Sequence, residues 1–324
     1  MPRLHRILFP TDFSACAEAA RSHAADLAQR TGAELHVLHV AEPAVEGLAD
    51  RVEDLRVTLE GIAADSGVPL AAFPNARREP GDLIPVASAV EYAEEAAPAI
   101  LRYAERHDVD LVVMGTHGRR GLRRMLMGSV AEEVVRLAPC PVLTVGSQGA
   151  GGAGGSVRRI VAPVDLSDPA APAARHAAAL AAAYGAALDL LHVVDAATVP
   201  TGAGPVLGPV RVSADELRTR ARKALERRAA DLRVEFPAVG DVGVHVRLGH
   251  PASDTVGFAE ACGADLLVVG SQGRTGMRRL LEWSVAERVV RSAPCPVVTV
   301  KGFGRAWLPP APARGVAEPA TVAA

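Results

Sequence analysis

Short apolar runs alternate along the chain with longer amphipathic or Ala-rich stretches, and this rhythm predicts strands spaced by helices. Residues 7–9 form an apolar run that ends in Pro10, a strand followed by a turn. Ser14 stands where it would cap the next helix, which is Ala-rich and stops at Gly32. A buried strand is expected at 35–40, a charged helix around 48–64, a third strand at 86–92 and a helix at 97–106. Residues 111–114 read as a four-residue strand running into glycine, Ser129 as the start of a last helix, and 141–145 as a closing strand. The same order then returns. It runs through the copy of the first apolar run, ending in Pro163, then Ser167 as cap, Gly185 as stop, a strand at 188–194, a charged helix at 213–236 and a strand at 242–248. A helix at 252–261, a strand at 266–269, a helix from Ser284 and a strand at 296–300 follow. Strands spaced by helices make an α/β fold with a parallel, doubly wound sheet, whose ligands sit beyond the carboxyl ends of the strands.

The repeat is of sequence as well as pattern. Arg6-Ile7-Leu8-Phe9-Pro10-Thr11-Asp12-Phe13-Ser14 returns as Arg159-Ile160-Val161-Ala162-Pro163-Val164-Asp165-Leu166-Ser167. Residues 110–145 return as 265–300 with about two-thirds identity. The period is that of a whole domain, so the chain reads as two tandem domains, 1–146 and 157–301. A Gly/Ser linker at 147–156 joins them, and a Pro/Ala-rich tail at 302–324 is expected to be disordered.

Composition narrows the class. The 324 residues are 49% hydrophobic but only 3% aromatic, so the cores must be built from Ala, Val and Leu. Lys and Arg number 35 against 37 Asp and Glu, and this near-neutral balance lacks the footprint of a general nucleic-acid binder. Cys16, Cys140, Cys262 and Cys295 form no CxxC pair, which argues against zinc or a disulfide framework. Cys140 and Cys295, each between prolines, read as small buried apolar residues. The longest apolar run, 177–188, is too short to span a bilayer, and the N-terminal residues show no signal peptide. A cytoplasmic location without membrane contact is the expectation.

The chemistry concentrates after the fourth strand, at Gly115-Thr116-His117-Gly118, nine residues, then Gly128-Ser129. Gly115 and Gly118 would let backbone approach a ligand closely. Ser129 with Glu132 three residues on reads as a capping box, and the free amides of that helix N-terminus favour an anion. Strand, glycine turn and helix start together describe a phosphate cradle. No Gly-Lys-Ser/Thr follows, so it is not a Walker A loop. Taken singly, Ser129 reads as a helix cap and Asp12 as a turn residue after Pro10; the glycines in register are what favour a nucleotide.

With these motifs, and with Ala138-Pro139-Cys140-Pro141-Val142 and its copy Ala293-Pro294-Cys295-Pro296-Val297, the chain resembles the universal stress protein family in its tandem form. The resemblance implies five parallel strands per domain, a sheet shared with the adenine-nucleotide α-hydrolases, and pairing of two domains through the last strand. It also implies ATP binding, with magnesium, where the glycine motif is intact. Carried over residue by residue, Asp12 would face the adenosine and the backbone at Val40 the adenine. Pro10 and Met114 would wall the pocket, and Gly115, His117 and Gly118 would line ribose and phosphates. Gly128, Ser129 and Val130 would hold the phosphates.

The second copy keeps Asp165, Val193, Gly270, Gly273 and Ser284, but Trp283 replaces the third glycine and Gln272 replaces His117. An indole there should fill the phosphate site or displace its loop, so the second site is expected to be crippled. The first copy lacks the turn that the second has at Gly249-His250-Pro251. His39 and His192 read as strand-end residues rather than ligands, and His23 and His176 as surface or interdomain positions. Arg119, Arg120, Arg123 and Arg124 are either a solvated face or a draw for phosphate, and Met125 and Met127 should pack the motif loop down.

The expected function is an ATP-binding regulatory module of stress responses, the nucleotide held mainly by the first domain. His117 is the one candidate base near the phosphates, so fast turnover is not expected, although slow hydrolysis or autophosphorylation stays open. The alternatives are a nucleotide-independent interaction module and an adenylyl-transfer enzyme, although the His-x-Gly-His and Ser-Gly-Gly-x-Asp-Ser signatures of that last class are missing. The two domains are expected to pair within the chain, with a homodimer and an unidentified protein partner as further possibilities.

Overall fold

The computed structural model describes residues 4–41, 85–117, 127–146, 157–166, 172–196, 213–271, 283–302, 305, 307 and 308. The first copy runs β1 (Arg6–Pro10), α1 (Ala15–Thr31), β2 (Glu34–Ala41), β3 (Val86–Tyr92), α2 (Ala96–Arg106), β4 (Leu111–Gly115), α3 (Ser129–Leu137) and β5 (Val142–Val145). The second runs β6 (Arg159–Pro163), α4 (Pro172–Tyr184), β7 (Ala187–Asp195), α5 (Ala214–Glu235), β8 (Val242–Gly249), α6 (Pro251–Cys262), β9 (Leu266–Gly270), α7 (Trp283–Ser292) and β10 (Val297–Val300). The helix expected around 48–64 lies outside the described residues, as do the linker and Ser167.

Each copy is a five-stranded parallel sheet, β3-β2-β1-β4-β5 in one and β8-β7-β6-β9-β10 in the other. The order reverses beside β1 and β6, which is where such sheets open a crevice. The two sheets join edge to edge. β5 and β10 pair antiparallel, Leu143 opposite Val298, so one ten-stranded sheet runs through both copies. Pairing through the last strands, expected within the chain, is what the structure has; it removes two exposed strand edges.

Local chemistry explains the helix limits. The Ser14 hydroxyl accepts from the Ala17 amide at 3.2 Å and caps α1, and Gly32 ends that helix in the left-handed conformation at φ 69°. Ala17, Ala20, Ala24 and Ala28 recur at helical spacing and are all buried, so α1 lies close on the sheet. α5 opens with a full capping box between Ser213 and Glu216. At Gly249 a Cβ would meet the Asp254 carboxylate at 2.3 Å, so a larger residue would have to displace the bond that carboxylate accepts from the His250 amide. The first copy lacks this turn, and α2 begins after Glu95 with no side-chain cap.

Of the two places expected for His176, surface or interdomain, the surface is excluded: it is 1% exposed, its Nδ1 bonds the Pro172 carbonyl, and its ring meets Trp307 edge-on with centroids 4.4 Å apart. The segment after residue 301 is not wholly the expected disordered tail. Trp307 and Leu308 are buried in the apolar layer under α1 and α4, and Arg305 reaches the Asp108 carboxylate of the first copy. An apolar residue of that size costs less against the core than in water.

Candidate functional site

The crevice of the first copy is built by three segments hydrogen-bonded to one another. After β1 the Thr11 amide donates to the Leu38 carbonyl at 2.8 Å, and His39 Nδ1 bonds the Thr11 carbonyl at 2.8 Å. Phe13 takes φ 62°, an uncommon conformation for a residue with a Cβ, and its ring packs on His39 with centroids 5.0 Å apart. Asp12 sits at the apex of this loop, half-buried, with Oδ1 accepting from the Ser14 amide at 3.0 Å. The Asp12 carboxylate therefore does shape the turn. His39 is a strand-end residue, as expected, but one that clamps the loop bearing Asp12.

The second segment follows β4. The Ser14 hydroxyl also donates to the His117 carbonyl at 3.3 Å, which ties the β1 loop to the glycine turn. Thr116 Oγ1 and His117 Nδ1 lie 2.9 Å apart, and His117 Nε2 is buried without a hydrogen-bond partner. Gly115 is explained differently from the sequence reading. A Cβ there would stand 2.7 Å from the Cys16 backbone carbon, so the missing side chain makes room for the first turn of α1 rather than for a ligand. Gly118, the four arginines and Met125 lie outside the described residues.

The third segment is the start of α3. The Gly128 amide donates to the Thr116 carbonyl at 2.8 Å, fixing the helix to the glycine turn. The N-cap is Gly128 and not Ser129, so the expected capping box is absent: Ser129 is the first helical residue, and Glu132 reaches Arg291 of the second copy instead. Ser129 is exposed, and the amides of Ser129, Val130 and Ala131 have no carbonyl acceptor within the helix. Met127 is buried in the apolar layer with Ala131 and Val134; the loop it was expected to pack lies outside the described residues. Pro10 and Met114 are buried at their strand ends, while Val40 is half-buried at the end of β2.

The second copy repeats the frame. Leu166 also takes φ 62°, and His192 Nδ1 bonds the Val164 carbonyl at 2.7 Å, holding the loop of Asp165. Val193 is half-buried and Gly270 is exposed at the end of β9. Helix α7 includes Trp283, whereas Gly128 stays outside α3 in extended conformation. Gly273 lies outside the described residues. Among the described residues no cluster of His, Cys, Asp and Glu is arranged to hold a metal, and no helix is long and apolar enough to cross a membrane.

Compared with known proteins, residues 3–146 and 156–301 each match the model of the universal stress protein family. The chain is similar to a universal stress protein of Methanocaldococcus jannaschii, 36% identical over 146 residues that span 44% of this chain and 82% of that one. It is also similar to a universal stress protein of Mycobacterium tuberculosis, 28% identical over 232 residues, 67% of this chain and 75% of the other. A crystal structure of a universal stress protein from Archaeoglobus fulgidus superposes with a TM-score of 0.64 at 20% identity, covering 91% of this chain and 98% of that one. That likeness concerns the fold.

Proposed function

The chain belongs to the universal stress protein family, and on that premise we propose that it is an ATP-binding regulatory protein with one competent nucleotide site, in its first copy. One observation carries this reading. The β1 loop, the glycine turn and the start of α3 are hydrogen-bonded into a single cup. At that junction Ser129 is exposed, the amides of Ser129, Val130 and Ala131 have no acceptor within the helix, and His117 Nε2 is buried without a hydrogen-bond partner. A helix N-terminus of this kind carries partial positive charge and favours an anion. The residues therefore fit a nucleotide's phosphates.

In this reading Gly128, Ser129 and Val130 hold the phosphates, and His117 and Gly118 border them and the ribose. Asp12 faces the adenosine, Val40 offers backbone to the adenine, and Pro10 and Met114 wall the pocket. Bound ATP, with its magnesium, would supply the negative charge that the α3 terminus lacks. Because the β1 loop is clamped by His39 before any ligand arrives, binding would need little reordering. The second copy, with Trp283 in place of the glycine, acts as the first copy's partner rather than as a second site.

Thermal melting of the full chain with and without Mg-ATP, on the parent and on Gly128→Trp, tests the reading. A ligand at about 100 times its dissociation constant should stabilise the parent by roughly 2.7 kcal/mol. That shift should vanish in Gly128→Trp. A parent indifferent to millimolar Mg-ATP would leave the interaction-module reading instead.

A further inference from the structure

The second copy grips the helix that carries the proposed phosphate site at both of its ends. In the first turn of α3, Glu132 receives the Arg291 guanidinium of α7 at 3.1 Å. At the last turn, Lys301, the residue directly after β10, sends its ammonium to the carbonyls of Val135 and Arg136, the second at 2.7 Å. Lys301 is 5% exposed. Burying an ammonium costs several kcal/mol unless its protons are well placed, and here they meet carbonyls that have no amide partner within the helix. The grip is one-sided in sequence: the residue after β5, in the place of Lys301, is Gly146.

We propose that Lys301 is a positioning residue for the first copy's nucleotide site, which the second copy thereby completes from across the β5–β10 seam. The proposal rests on the nucleotide reading above. α3 has nine residues, a rod of about 13 Å, so an anchor on its last carbonyls fixes where its first amides stand. A cation at the C-terminus also acts along the helix axis in the sense that favours an anion at the other end. Arg305 provides the contrast. It belongs to the same exit segment and reaches the Ala104 and Glu105 carbonyls at the end of α2, each at 3.4 Å, yet α2 carries no residue of the site.

The test is Mg-ATP affinity by calorimetry for the parent, Lys301→Met, Lys301→Gln and Arg305→Ala, all as full chains. Lys301→Met should bind about tenfold more weakly, Lys301→Gln, which keeps a donor, should recover part of the loss, and Arg305→Ala should stay within about twofold of the parent. Backbone amide exchange at 129–131 should speed up in Lys301→Met alone. Burial lowers the Lys301 ammonium to about 8, so parent affinity should fall between pH 7 and 9 and that of Lys301→Met should not. Beside Lys301 stands Cys140, whose thiol burial pushes up to about 12, and Cys140 in turn feels the Asp110 carboxylate and the Arg305 guanidinium. Equal losses in Lys301→Met and Arg305→Ala would reduce Lys301 to part of a general strap. Parent-like binding by Lys301→Met would overturn the proposal with the nucleotide reading intact, whereas a parent that binds no Mg-ATP would overturn both.

Discussion

At the residue level, a motif position can be held by a neighbour in the fold rather than by a ligand. Gly115 belongs to the glycine motif, and a ligand's approach is the natural reason for it in sequence. Its neighbour is instead the backbone of Cys16, 2.7 Å from where a Cβ would stand. Gly115→Ala should therefore destabilise the chain even without nucleotide, by about 1–3 kcal/mol as overpacking does; the urea midpoint reads this, and an unchanged midpoint would return the glycine to the ligand. Ser129 marks a helix start in the sequence, but Ser-x-x-Glu reads the same whether the serine is the N-cap, where it forms a capping box, or the first helical residue, where it does not. His39 and His192 carried no signal beyond their shared place in the repeat. Their common role, a clamp on a loop whose Phe13 or Leu166 is held at φ 62°, depends on a carbonyl that lies 28 residues away in sequence.

Among the elements, the periodic pattern placed the described strands and most described helix ends within about two residues, because apolar runs, Ser starts and Gly stops mark them locally; the expected start of α4 at Ser167 lies outside the described residues. Residues 86–92 were expected as a strand and are one. Caps differ more than the pattern suggests. α5 opens on the reciprocal Ser213–Glu216 pair, so Ser213→Ala should cost about 1 kcal/mol of stability by thermal denaturation. The same change would do nothing measurable if α5, one of whose faces is strongly charged, were held by packing alone. α2 has no side-chain cap, and the residues buried along it, Ile100 and Tyr103 among them, supply its hold on the sheet.

Across the whole molecule, the duplication was plain in the sequence, and the seam followed from the family resemblance. What lay out of reach was the exit segment, where a Pro/Ala-rich composition concealed Trp307 docked on His176. Burial lowers His176 from its ordinary value to about 4 and also lowers His23. The folded chain thus binds fewer protons than the unfolded chain between pH 6.5 and 4, and stability present above 6.5 is lost as pH falls through that window. The unfolding free energy from urea titration should drop there more steeply for the parent than for His176→Phe, by up to about 3 kcal/mol; parallel curves would show that His176 takes up its proton without cost. One competent site in two homologous copies is tested by the binding stoichiometry of Mg-ATP on the full chain, measured by calorimetry. One nucleotide per chain, abolished by Gly128→Trp, is expected; two per chain, or one that survives that substitution, would overturn the single-site reading.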